Sequence, residues 1–198
     1  MTRRFAIAAL AAALAGSSGA EPLPPSVFGL ELGRPLALPE CAYRATRGGK
    51  NYDAITKFTC YEDKHELNGY GEPVRRVNFK PEESPVYIKW QRLFALEADG
   101  MLIGIDFLTP GVQAQEIVLA ALRQKFGEPT TLAVRKAKTL QGAEFDSLSA
   151  VWALPALIVR LEGTTDRIDT GRVTIDTPAA DALRQSWDKQ REAPRRTL

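Results

Sequence analysis

Few residues in this 198-residue chain are reactive by type. The single histidine, His65, stands among Asp63, Lys64 and Glu66, and the two cysteines are Cys41 and Cys60. A hydrolytic triad needs a base beside a positioned nucleophile. The segment around His65 is charged throughout and leads into a turn, so His65 reads as a surface residue rather than a general base. Two cysteines and one histidine cannot complete a four-ligand zinc site without carboxylates. Carboxylate-only chemistry stays open, because Asp and Glu are plentiful. The adjacent pair Glu82-Glu83 lies in a Pro-flanked turn and reads as a solvated loop. No glycine-rich phosphate loop, zincin motif or calcium loop is present. The sequence therefore assigns no catalytic residue, no metal and no cofactor, and leans away from an enzyme.

Binding chemistry has better candidates. Arg75, Arg76, Lys89 and Arg92 are spaced to form a basic stripe across two neighbouring strands, the alternative being an ordinary solvated sheet face. Trp90 and Trp152 share apparent strand faces with Ile88 and Leu154 and are expected in the core. Trp187, one turn beyond Leu183, is expected to dock the last helix. The C-terminal stretch from Leu183 is basic, as the end of a helix commonly is.

The address bears on the cysteines. Met1-Thr2-Arg3-Arg4 is a positive n-region, Phe5 to Ala15 is an unbroken apolar run, and Ser18-Gly19-Ala20 supplies small residues for cleavage. This is the pattern of a secretory signal over residues 1–20, cleaved after Ala20. The apolar run is shorter than the roughly 20 residues a membrane span requires, and no later stretch approaches that length. The Ala-rich signal looks bacterial, so the expected destination is the periplasm. In that oxidising setting Cys41 and Cys60 read as a disulfide closing a loop of about twenty residues, worth roughly 3 kcal/mol in the chain-entropy model. A metal pair or a reactive thiol are the alternatives. Of 26 basic and 24 acidic residues, Arg3 and Arg4 leave with the signal, so the exported chain balances at 24 against 24. Nucleic acid is not the expected partner, because phosphate binding needs a basic surplus.

The remaining chain, 21–198, reads as a single α+β domain. Residues 21–73 form its Pro- and turn-rich, disulfide-pinned segment, with Gly48-Gly49-Lys50-Asn51 as the sharpest turn. Val86, Ile88, Trp90, Phe94 and Leu96 suggest a half-buried strand. Asp99-Gly100 is a hairpin turn, and Met101, Ile103, Ile105 and Phe107 mark the returning strand. Thr109-Pro110 is read as the cap of a helix that ends at Gly127, with Val118, Leu119, Leu122 and Phe126 as its apolar stripe. Strands follow over 130–137, around Leu148 to Leu154, at Leu157 to Leu161, and at Val173 to Ile175. Thr177-Pro178 opens a second helix running to about Glu192. The expected fold is an antiparallel sheet with both helices packed on one face.

Several pieces recur in order. Tyr70-Gly71-Glu72-Pro73 is echoed by Phe126-Gly127-Glu128-Pro129, Trp90 by Trp152, Thr109-Pro110 by Thr177-Pro178, and Ala-Leu-Arg-Gln occurs at 121–124 and 182–185. The pattern suggests a degenerate tandem repeat of a strand-strand-strand-helix unit, with turn and cap chemistry as the chance alternative. The second unit, Val112 to Thr177, resembles the small outer-membrane-assembly lipoproteins of the BamE/SmpA type. The resemblance rests on Phe126-Gly127-x-Pro129, Trp152, alternating Leu157, Val159 and Leu161, and Gly171-x-Val173. Those proteins share an architecture with the tandem-repeat β-lactamase inhibitor proteins. The chain departs from them in lacking a lipidation cysteine and in placing Ala153 where an aromatic usually follows the tryptophan. The resemblance implies a periplasmic binding or scaffolding module and transfers no site residue.

The expected function is non-catalytic binding of a periplasmic protein or envelope component, as inhibitor, immunity factor or assembly accessory. The alternatives are a carboxylate-based hydrolase of an envelope polymer and a stable domain with a small-ligand cleft. A binder should expose an aromatic patch, whereas a hydrolase should show paired carboxylates in a cleft with one acidity weakened. The sequence carries no sign of oligomeric state.

Overall fold

A computed structural model describes residues 25–52, 56–138 and 142–192. The signal segment and the Arg195-Arg196 tail lie outside these residues. Two small hairpins come first, β1 (Ser26–Val27) with β2 (Leu30–Glu31), and β3 (Tyr43–Thr46) with β4 (Gly49–Tyr52). The main sheet is built from β5 (Cys60–Leu67), β6 (Pro73–Asn78), β7 (Arg92–Ala98) and β8 (Met101–Thr109). After helix α1 (Gln115–Phe126) it continues with β9 (Thr131–Lys138), β10 (Glu144–Ala153), β11 (Ile158–Glu162) and β12 (Gly171–Asp176). Helix α2 (Pro178–Glu192) closes the described chain. The fold is thus α+β with one antiparallel sheet of eight strands, ordered β5-β6-β7-β8-β12-β11-β10-β9. Among the described residues no helix is long and apolar enough to cross a membrane.

The order has an internal logic. Each half is a four-stranded meander followed by a helix, and the halves meet where β8 pairs antiparallel with β12. The centre of that pairing is Asp106 opposite Thr174. The repeat unit read from the sequence had three strands where each half has four, and in the first half β5 lies in a segment too charged to show alternation.

Strand alternation gives the sheet two different faces. Ala95, Ile105, Phe107, Trp152, Val159, Leu161, Val173 and Ile175 are buried together on the first face. The apolar side of α1, Val118, Leu119 and Leu122, packs there, and so do Val27, Leu30 and Leu32 of the N-terminal hairpin. The second face carries a smaller apolar cluster, Val74, Leu96 and Ala180, joined by Phe94, Ile103, Leu183 and Trp187. Helix α2 supplies three of these, so it covers the second face and the helices lie on opposite sides of the sheet. This corrects the expectation of both helices on one face.

The helix starts explain the divergence. Thr177 caps α2, its Oγ1 accepting from the Ala180 amide at 3.3 Å. Thr109, by contrast, is a fully buried strand residue, and Pro110 leads into a 3₁₀ turn over Gly111–Gln113 before α1 begins at Gln115. Gly111 has φ +63°, and a Cβ there would come within 2.1 Å of the Ile168 carbonyl. That extra turn carries α1 to the first face. Gln115 then fixes α1 to β10, donating to the Asp146 carbonyl at 2.7 Å and accepting from the Leu148 amide at 3.0 Å.

The disulfide joins Cys41 to Cys60, both 1% exposed. It ties the β3–β4 hairpin region to the first residue of β5. The pairing is reinforced where the Cys41 amide donates to the Tyr61 carbonyl and the Tyr61 amide to that of Pro39, at 2.8 and 3.0 Å.

Candidate functional site

The strand expected from Val86 to Leu96 forms only from Arg92, as β7, and its first part, Val86 to Gln91, is instead a loop. The chain enters through the 3₁₀ turn Pro81–Glu83 and Pro85, and a second 3₁₀ turn, Lys89–Gln91, replaces the pairing that alternation suggested. Val86 is 88% exposed, and Trp90 is 60% exposed rather than in the core. Trp152 does lie in the core, with Nε1 donating to the Gly127 carbonyl at 2.8 Å.

Trp90 is held outward by its neighbours. Ile88 is buried in the first-face core. Lys89 Nζ donates to the Asp169 carbonyl and to Thr170 Oγ1, both at 2.9 Å, and sits 5.0 Å from the centre of the Trp90 ring. Between these anchors Trp90 and Gln91 adopt φ of 60° and 56°, a left-handed backbone that costs about 1–2 kcal/mol per non-glycine residue. The surrounding contacts impose that conformation, and such strain gathers where a side chain must be presented.

Trp90 stands on the rim of a cleft of about 990 Å³ on the second face. Phe94, Asp106 and Leu108 line it from β7 and β8, Glu162 from the end of β11, and Thr165, Asp166, Arg167, Asp169 and Thr170 from the β11–β12 loop. The β5–β6 turn supplies Asn68 and Tyr70. That turn reaches across β6 and β7, because Asn68 Nδ2 donates to Asp106 Oδ2 at 3.1 Å and to Glu72 Oε2 at 2.7 Å. The guanidinium of Arg172 lies 3.7 Å from the centre of the Tyr70 ring.

Behind the cleft, under α2, a buried ionic cluster fastens the parts. Glu72, Asp106 and Asp176 are each at most 1% exposed, and Arg184 is 6% exposed. Arg172 Nη2 donates to Asp106 Oδ2 at 2.6 Å and to Glu72 Oε2 at 2.8 Å. Arg184 donates to Glu72 through Nη1 and to Asp176 through Nε. One group of five thereby joins the β5–β6 turn, β8, β12 and α2. A Cβ on Gly104 would lie 2.3 Å from Asp176 Oδ1, so only glycine lets the cluster sit this close to the sheet. Burial pushes the Glu72 carboxyl up, but Arg172 and Arg184 outweigh it and hold it below its ordinary range. Burial wins at Asp176, whose carboxyl is pushed up to about 6 against the pull of Arg184.

Of the four basic residues proposed from sequence, Arg76 and Arg92 come near each other on neighbouring strands, while Arg75 and Lys89 lie apart from them. Neighbours on a strand point to opposite faces, so Arg75 and Arg76 part company. Arg75 pairs with Glu97 at 3.2 Å and covers the Tyr61 ring on the first face. Arg76 turns to Glu66 at 2.5 Å and Glu62 at 3.4 Å on the second. Arg92 is half-buried near Arg76, and burial first, then Arg76, lowers its guanidinium from its ordinary value. Lys89 alone lines the cleft. His65 lies on β5, exposed, with Nε2 3.6 Å from Glu97 Oε2. Sequence reasoning missed Tyr70, Asp106, Glu162 and the β11–β12 loop. Asp106 offered a signal, being a lone acid inside the apolar run Met101 to Leu108.

No protein-family model, curated protein or solved structure matches this chain.

Proposed function

We propose that this chain is a non-catalytic binding module of the bacterial cell envelope, exported by its signal segment, which takes part of a macromolecular partner into the second-face cleft. The observation that carries this reading is Trp90. A large aromatic side chain, 60% exposed, is pinned outward at a cleft rim in a left-handed backbone. Trp, Tyr and Arg dominate the energetics of protein interfaces, and Tyr70 with Arg172 adds a stacked pair at the same cleft. The disulfide fits an oxidising compartment. The likeness of residues 112–177, which span α1 and β9 to β12, to envelope-assembly lipoproteins agrees with the same role. The repeated order of four strands and a helix supports descent of the two halves from a duplicated unit.

The hydrolase alternative gains less. The carboxyl of Asp176 is held above its ordinary range, but it is fully buried beneath α2 and does not line the cleft. A general acid needs that weakened acidity where substrate sits.

The test is affinity capture from envelope extract with the wild-type protein beside Trp90→Ala, folding checked by circular dichroism. Loss of a captured partner with Trp90→Ala is the expected result. An identical captured set from both would overturn the cleft as the binding site, and wild-type hydrolysis of an envelope polymer would overturn the non-catalytic role.

A further inference from the structure

We propose that the cleft selects a basic segment of a protein partner, receiving a lysine or arginine side chain; this rests on the cleft being the binding site. Its lining holds four acids, Asp106, Glu162, Asp166 and Asp169, against two bases, Lys89 and Arg167. Both bases are already engaged. Arg167 grips Asp169 through two bonds of 3.0 Å, and Lys89 holds the Asp169 carbonyl and Thr170. Glu162 and Asp166 have no ion pair among the described residues. Adding the buried cluster behind the cleft brings in Glu72 and Asp176 with Arg172 and Arg184, so six acids face four bases. The excess is negative however Asp176 titrates.

Asp106 supplies the second, independent observation. It is 1% exposed, its Oδ2 is taken by Arg172 and Asn68, and its Oδ1 has no hydrogen-bond partner. A buried carboxylate oxygen without a partner is costly, and a donor from a ligand in the cleft that Asp106 lines would satisfy it. The apolar lining suits the stem of the same side chain, since Lys and Arg lay their methylenes on apolar surface and their charge on aromatic faces. Trp90, Phe94 and Leu108 offer that surface. Asp106 Oδ1, Glu162 and Asp166 are the acceptors for the cationic head. The volume, at the upper end of single-ligand pockets, admits the flanking residues of an extended chain.

The probes are N-acetyl-lysine and N-acetyl-arginine methylamides, with the norleucine and glutamate methylamides as neutral and acidic controls. Each is titrated into the full exported chain and followed by nitrogen–proton correlation NMR. The two basic amides are expected to shift the Trp90 indole signal and the backbone signals of Thr165 to Thr170. Their affinity should fall at least about threefold between ~50 and ~300 mM salt. Glu162→Gln, an exposed position that leaves the buried cluster intact, should weaken them by a similar factor. Equal binding of the norleucine or glutamate amide, or no response at the cleft to any of the four, overturns the preference for a basic segment. Partner capture separates this from failure of the cleft itself. Capture lost with Trp90→Ala but indifferent to salt and to Glu162→Gln ends the basic-segment inference alone, whereas capture indifferent to Trp90→Ala ends both.

Discussion

The two faces of the one sheet are held by different physics. The first face is a continuous apolar layer in which Trp152, Phe107, Leu161 and Ile175 are essentially inaccessible, covered by α1 and the N-terminal hairpin. The second face keeps a small apolar cluster under α2 beside a cluster of five charged side chains. Apolar packing is non-directional and tolerant of exchange, whereas buried charges stabilise only with every partner in place. The first face therefore supplies cohesion. The second fixes the relative positions of the β5–β6 turn, β8, β12 and α2, the parts that frame the cleft.

Breaking a charge should consequently cost more than reshaping the apolar layer. Arg184→Met leaves Asp176 without its ion-pair partner and Glu72 with Arg172 alone, and is expected to destabilise by about 3–5 kcal/mol. Leu161→Met on the first face should cost less than about 1.5 kcal/mol. Urea unfolding of the two variants, if it gave equal losses, would erase the distinction between the faces. The disulfide ranks next. Cys41→Ser with Cys60→Ser should cost roughly 3 kcal/mol, and hydrogen exchange should rise more between Tyr43 and Tyr52 than in β8 or β12.

Titration sharpens the contrast further. The carboxyl of Asp176 goes from 3.8 to about 6 on folding, so the folded state favours its protonated form. Its stabilisation is complete below pH 3.8 and is lost as pH rises through about 6. The loss is on the order of 1–3 kcal/mol, taking about 1.4 kcal/mol per pKa unit. Glu72, held low, works in the opposite sense, and its contribution is lost as pH falls below its ordinary range. Asp176→Asn keeps a carbonyl acceptor for Arg184 and should flatten the decline between pH 4 and 7. An unchanged slope in denaturation midpoints would remove Asp176 as its source. The smallest effect is expected at His65→Ala, within about 0.5 kcal/mol in stability and without loss of partner binding, because its imidazole is exposed on β5.

Much of the cohesive face was legible in the sequence. Period-two alternation located β10, β11 and β12, Asp99-Gly100 located the β7–β8 hairpin, and the cysteines located the disulfide. The second face was harder to read, for physical reasons. Trp90 follows an alternating run, yet the left-handed turn overrides it. Arg75 and Arg76 are adjacent in sequence and a sheet apart in space. Thr109-Pro110 and Thr177-Pro178 look alike, but the interposed 3₁₀ turn sends the following helices to opposite faces. The ionic cluster joins residues as far apart as Glu72 and Arg184, which no spacing rule connects.

The claim that recognition lies on the second face is tested most directly by a photoreactive phenylalanine analogue placed at one of two exposed apolar positions. One is Trp90 at the cleft rim, and the other is Ile117 on α1. Irradiation of cells exporting each form should yield a covalent partner adduct from position 90 and none from position 117. An adduct from position 117 with none from position 90 would contradict the account, placing recognition on the face assigned here to cohesion.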